Sequence, residues 1–125
     1  MNGHPVNRRS DGTAHEEIAL RYLLDRGYTL IQRNFHFGRA GEIDLVMRDG
    51  DIHVFVEVKA RRSHRFGLPE EALTPSKRRQ IRKVAEGFIY VNGLTEYTPR
   101  FDVVAIDYVT GTGGEPEIRH HIDAF

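Results

Sequence analysis

A mixed α/β fold, in which a mixed β-sheet of α-β-β-β-α-β order is flanked by helices, is the architecture the sequence predicts. Three observations carry it. Two runs, Gly41 to Arg48 and Asp51 to Ala60, alternate in polarity and meet at Asp49-Gly50, the strongest short hairpin signal in the chain. A helix announced by Thr74-Pro75 links the second run to a later strand, and such a connection favours a right-handed crossover, so the sheet is mixed. Finally, Val103-Val104-Ala105-Ile106 is a continuous apolar run, as suits a strand covered on both faces.

Taken in order, residues 1–13 are polar and rich in breakers and read as a flexible tail, leaving 14–125 as a single domain. Arg8-Arg9 is similar to a twin-arginine export signal, but no apolar stretch follows it. His15 to Arg26 reads as a helix, because Ile18, Ala19, Tyr22 and Leu23 recur on one face and Gly27 supplies a stop. Tyr28 to Phe37 mixes β-branched and aromatic residues, which suggests a strand. In the next strand Ile43, Leu45 and Met47 face one way, and Glu42, Asp44 and Val46 the other. In the returning strand Val54, Val56 and Val58 oppose His53, Phe55, Glu57 and Lys59. Thr74 is placed as an N-cap with Pro75 at the first helical position. Ile81, Val84, Ala85 and Phe88 form the apolar stripe of that helix, which ends by Gly93. Arg100 to Tyr108 is a further strand, and Pro116 to Ile122 adds a short edge strand.

Composition narrows the function classes. The 125 residues are 39% apolar and 29% charged, a globular rather than disordered balance. No apolar run approaches the roughly 20 residues that cross a bilayer, so no membrane partner is expected. The absence of cysteine excludes disulfides, thiolate nucleophiles and Cys-ligated zinc, and cytoplasm is the expected location. Net charge is zero but segregated. Lys59, Arg61, Arg62, Arg65, Lys77, Arg78, Arg79, Arg82 and Lys83 face only Glu57, Glu70 and Glu71 between positions 57 and 83. That local surplus can draw a polyanion, or it can be an ordinary solvated face.

With Asp49 and Gly50 as the two central turn residues, Arg48 pairs with Asp51, Glu42 lies opposite Glu57, and Asp44 lies opposite Phe55 and diagonal to Glu57. Opposed carboxylates destabilise a sheet, and diagonal neighbours roughly 7–8 Å apart remain within reach of a shared partner. Something positive belongs there. Lys59 is one candidate, through a plain ion pair; a divalent cation such as Mg²⁺, which takes hard oxygen ligands, is the other. Lys77, Arg78 and Arg79 in the opening turns of the second helix oppose the helix dipole, a cost that an incoming phosphate would reverse. All seven histidines read as surface or packing residues. His120 and His121 point to opposite faces, His53 lies two alternations from Glu57, and His15 projects about 100° from Glu16.

Gly41-Glu42-Ile43-Asp44-Leu45-Val46 followed by Val54-Phe55-Val56-Glu57-Val58-Lys59-Ala60-Arg61 resembles the YraN-like family of small bacterial proteins. The likeness continues through Phe66-Gly67-Leu68-Pro69-Glu70-Glu71-Ala72-Leu73-Thr74-Pro75, Arg100-Phe101-Asp102-Val103-Val104 and Asp123-Ala124-Phe125. That family is placed in the PD-(D/E)xK nuclease superfamily, close to Holliday-junction resolvases. The resemblance implies a restriction-endonuclease-like core and a Mg²⁺-dependent endonuclease, with Mn²⁺ as an alternative ion, acting on DNA that includes branched or junction forms. It implies Asp44, Glu57 and the Val58 carbonyl as metal ligands, Glu16 as an acid reaching the metal through water, and Lys59 as the catalytic lysine. Glu42 is expected behind the ligands, and Arg61, Arg62, Lys77, Arg78, Arg79, Arg82 and Lys83 are expected on the nucleic-acid backbone. A junction cutter calls for a homodimer, since two opposed strands are cut. The alternative is a non-catalytic nucleic-acid or protein-partner-binding module that retains the fold.

Overall fold

The computed structural model describes residues 8–95, 97 and 99–125, with residues 8–11 described by backbone alone. Two helices and five strands follow one another as α1 (Arg8–Asp25), β1 (Thr29–Phe37), β2 (Gly41–Asp49), β3 (Ile52–Arg61), α2 (Pro75–Val91), β4 (Pro99–Thr112) and β5 (Glu115–His121). Short 3₁₀ turns stand at Gly38–Ala40 and Pro69–Ala72. The sheet runs β1-β2-β3-β4-β5, with β3 and β4 parallel and every other neighbour antiparallel. The expected mixed α/β architecture, compatible with a restriction-endonuclease-like core, is therefore present.

Alternate residues of the central strands feed two cores. Val54, Val56, Val104 and Ile106 pack with Ala19, Leu20 and Leu23 of α1. Phe55, Phe101 and Val103 pack with Ile81, Val84, Ala85 and Phe88 of α2. One helix thus covers each face of the sheet. Thr74 caps α2 by accepting from the Lys77 amide at 3.2 Å, ahead of Pro75. Both helices close alike: Tyr28 and Leu94 amides reach back to Leu23 and Ile89 carbonyls, around Gly27 and Gly93 at positive φ.

Four details differ from the sequence expectation. Helix α1 starts at Arg8, not His15, so residues 8–13 of the expected tail are helical, while residues 1–7 lie outside the described residues. Its first buried side chain among those described is His15, so the earlier turns have no apolar face for a periodicity argument to find. The β2–β3 turn is centred on Gly50 and Asp51, with Asp49 paired to Ile52. Gly50 alone takes positive φ (60°), the pattern of a turn with Gly in its first central position, which spares Asp49 the left-handed conformation. Alternation breaks in β2: Ile43 joins Val46 and Phe55, whereas Leu45 and Met47 join the α1 side. Lastly, β4 runs past Tyr108 to a Gly113-Gly114 turn, both glycines at positive φ, and forms a hairpin with β5.

Candidate metal-binding active site

The turn at Gly50 sets the register that builds the site. Recorded β2–β3 pairs run from Asp49↔Ile52 to Leu45↔Val56. Carried one residue further, that register sets Asp44 beside Glu57, rather than diagonal to it. Here the break in β2 alternation throws the Asp44 side chain across the strand gap. Its Oδ2 accepts from the Val58 amide at 2.8 Å, replacing a ladder bond with a carboxylate. Glu57 is only 7% exposed. Burial, and then the Asp44 carboxylate hydrogen-bonded beside it, pushes the Glu57 pKa up to about 10, with Lys59 pulling the other way.

Glu57 and Lys59 line one cleft of about 220 Å³ together with Glu42, Leu73, Lys77, Gln80 and Ile81. Helix α2 forms its far wall. The helix is seated there because Gln80 donates to the Ala40 carbonyl at 2.7 Å, and because Gly41 (φ 128°) leaves room for the Gln80 amide, 2.8 Å from where a Cβ would stand. Lys77, one turn before Ile81, consequently lines the cleft with Glu57 and Lys59. Glu42 is not opposite Glu57. It pairs across the other ladder with His36, Oε2 to Nε2 2.8 Å.

Glu16 approaches from α1. Burial, then the Asp44 and Glu42 charges, raise its pKa, while a hydrogen bond from the Asn34 side chain opposes them. Asn34 holds a left-handed φ of 50°, a conformation asparagine tolerates. Among the described residues no three His, Asp or Glu side chains close on one point as a complete metal cage. The chain therefore offers a two-carboxylate platform with a third acid nearby. A buried carboxyl touching a half-buried one fits a hard divalent cation, because each disfavours ionisation of the other without one; such ions keep water and substrate oxygens as further ligands.

The basic residues divide. Lys77 lines the cleft, and Arg79 and Lys83 are exposed. Arg78 donates to the Leu73 carbonyl, and its guanidinium lies 5.8 Å from the Phe125 ring. Arg82 lies 4.8 Å from the Phe101 ring and 5.5 Å from Phe125. These two thus also pack the C-terminus. Arg61 donates to the Ala60 carbonyl, and Arg62 lies 4.1 Å above the Tyr108 ring.

Residues 15–106 match the model of a family described as "Uncharacterised protein family UPF0102". The chain belongs to UPF0102, the YraN family. The UPF0102 protein of Natranaerobius thermophilus is 45% identical over 121 residues, 96% of this chain and 100% of that one. Those of Geobacter sulfurreducens (43%, 91% of this chain, 87% of that one) and Rhodococcus jostii (45%, 91% and 94%) are similar over nearly as much. The UPF0102 match takes in Glu16, Asp44, Glu57, Lys59 and all of α2, and stops within β4.

Sequence reasoning missed the polar network that fastens the β4–β5 edge of the UPF0102 sheet. Asp102 and Asp107 are fully buried. Asp102 accepts from Arg100 (2.9 and 3.0 Å) and pairs with His120 at 2.8 Å. Asp107 pairs with Arg119 (2.9 Å) and His64 (2.8 Å) and accepts from the Val109 and Thr110 amides, where the β4–β5 register shifts. Glu70 holds Arg119 and His121. His36 and His121 are surface residues, as expected, and pair there with carboxylates; His64 and His120 are in addition partners of the buried Asp107 and Asp102, which the sequence did not show. The available signal was an aspartate set inside each of two apolar runs, Phe101-Asp102-Val103 and Ile106-Asp107-Tyr108.

Proposed function

We propose that this protein is a metal-dependent endonuclease that hydrolyses phosphodiester bonds of DNA, branched DNA included, in the cytoplasm. The observation that carries the reading is the contact of the half-buried Asp44 carboxyl with the buried Glu57 carboxyl, which lines a cleft with Lys59 and Lys77. A sheet selected for stability alone would not oppose two acids there. Asp44 and Glu57, with the Val58 carbonyl and Glu16 through water, would hold Mg²⁺ or Mn²⁺. Such an ion supplies Lewis acidity towards the phosphodiester and a nucleophile from water at neutral pH.

The chain's own groups do the rest. Lys59 offers an ammonium to the phosphoryl oxygen on which charge develops, or holds the attacking water in line. The Val58 amide fixes the Asp44 carboxylate, so that little reorganisation is needed on binding. Lys77, Arg79 and Lys83 meet phosphates of the strand that crosses α2. A homodimer would present two such clefts to a junction.

The test is cleavage of branched and linear DNA by the wild type, Asp44→Ala and Lys59→Ala, with Mg²⁺, Mn²⁺ or EDTA. Cleavage that needs the ion and drops about 10²-fold or more in both variants is the expected result. Salt-sensitive binding without cleavage, unchanged by Asp44→Ala, would establish a binding module instead.

A further inference from the structure

Phe66 stands at the tip of the loop that leaves β3 and is 83% exposed. A lone exposed apolar side chain is ordinary; its setting is not. Ser63 and Phe66 form a cleft of about 300 Å³ with Ala60, Arg61, Arg62 and His15, at the small end of ligand sites. No acidic residue occurs between Glu57 and Glu70, while Lys59, Arg61, Arg62 and Arg65 do. The Arg65 guanidinium lies 5.5 Å from the Phe66 ring centroid, and Arg62 is laid over Tyr108 at 4.1 Å.

The loop is also held in place. His64 is tied to the buried Asp107 at 2.8 Å, the Gly67 amide returns to the His64 carbonyl at 3.0 Å, and the Leu68 amide reaches Glu71 at 2.8 Å. Its rigidity is therefore supplied before any ligand arrives, which lowers the cost of binding. Arg61 sits two residues past Lys59 on the same strand, about 7 Å by strand rise. Ala60 packs on the α1 side of the sheet, whereas Lys59 lines the α2-side cleft, so a chain with a phosphate at Lys59 would turn over the C-terminal end of β3 to bring its neighbouring nucleotide to this cleft.

We infer that the Phe66 cleft is a stacking site for one unpaired nucleobase, with Arg61 and Arg62 on its flanking phosphates, so that the protein selects DNA in which a base next to the scissile bond is unpaired. This rests on the proposed hydrolase function and names its substrate class. An aromatic face suits any base, and stacked bases bring phosphates that match the four cations. A second copy of this chain would meet like charge with like at the same surface, which favours nucleic acid as the occupant.

The experiment compares a fully paired duplex with the same duplex carrying one unpaired 2-aminopurine, bound to the full chain in EDTA and again with Ca²⁺. The wild type should prefer the unpaired form and raise its 2-aminopurine emission as the base leaves the quenching DNA stack. Phe66→Ala should weaken binding of that form about tenfold, leave the paired duplex unchanged and abolish the rise; Phe66→Tyr should keep the wild-type affinity. Equal affinities of Phe66→Ala and wild type, equal losses on both DNAs, or no binding by the wild type would overturn the inference. So would a dimer in sedimentation that Phe66→Ala dissociates without altering DNA binding. Cleavage in Mg²⁺ is scored separately: stacking without metal-dependent cleavage refutes the hydrolase and keeps the cleft, and cleavage indifferent to Phe66 does the reverse.

Discussion

Glu57 carries the largest electrostatic strain at the candidate site, because burial and the Asp44 carboxylate both favour its protonated form. Its folded pKa, about 10, lies above the ordinary carboxylate value of 4.5. Its contribution is therefore fully present below pH 4.5 and is lost as pH rises towards 10. Glu57→Gln keeps the hydrogen bond to Asp44 and removes that loss. In EDTA at pH 8 the variant should be more stable than the wild type by about 1–3 kcal/mol, with the gap closing below pH 4.5. Urea midpoints across that range measure it. Added Mg²⁺ should raise the wild-type midpoint and leave Glu57→Gln nearly unmoved, because only an ionised pair rewards the cation. The pairing of residues 44, 57 and 59 was legible from sequence even though the turn was misplaced. The correction moved every cross-strand partner by two positions, which changes the neighbour but preserves the face from Leu45 to Met47; at Asp44 it is the break in alternation that brings the carboxyl to Glu57.

Helix α2 was read well because its signals are local: Thr74-Pro75 opens it, Gly93 follows its end, and Ile81, Val84, Ala85 and Phe88 share one stripe. How closely it seats on the sheet was not legible. A methyl group at Gly87 would stand 2.2 Å from the Phe37 ring, so this glycine is there for proximity and not for backbone freedom. Gly87→Ala should cost about 1–3 kcal/mol through overpacking. The check is a lowered urea midpoint with an unchanged slope, the mark of a stability effect alone. Helix α1 shows the reverse limit, since its opening turns are polar and left no periodic trace.

Across the whole molecule, two sets of acids pull stability in opposite directions with pH. Hydrogen bonds from Arg119, offset in part by burial, lower the Glu70 pKa to about 2. Asp102 and Asp107 pay for burial, yet hydrogen bonds from His120 and Arg100, and from Arg119 and His64, hold both below the usual carboxylate range. Such groups contribute stability that is present above about pH 4.5 and lost as pH falls towards 2. Because Asp102 and Asp107 fasten β5 to β4 and Glu70 fastens the loop before α2 to β5, acid should release that edge first. Hydrogen exchange at pH 3 should show β5 amides losing protection before those of β3; uniform loss would contradict it. The ion-free protein should therefore be most stable near pH 4.5, falling off on both sides, and a divalent cation should move that optimum upward.

Local chemistry in the sequence by itself determined the kinds of element, their order, and the shared faces of β3 and α2, because periodicities of two and 3.6 residues are written in neighbouring positions; in β2 the break at Asp44 escaped it. It put Asp44 and Glu57 on neighbouring strands, with Lys59 two residues beyond Glu57. Tertiary structure alone decided the depth of Glu57, the partner of Glu42, the pairing of four histidines with carboxylates, and the exposure of Phe66. Most of these depend on residues far apart in the chain, such as His64 and Asp107 or His121 and Glu70, brought together only when the parallel β3–β4 pairing and the β4–β5 hairpin close the sheet. Pairing across such separations is set by the packing of all five strands at once, and no short stretch of sequence encodes it.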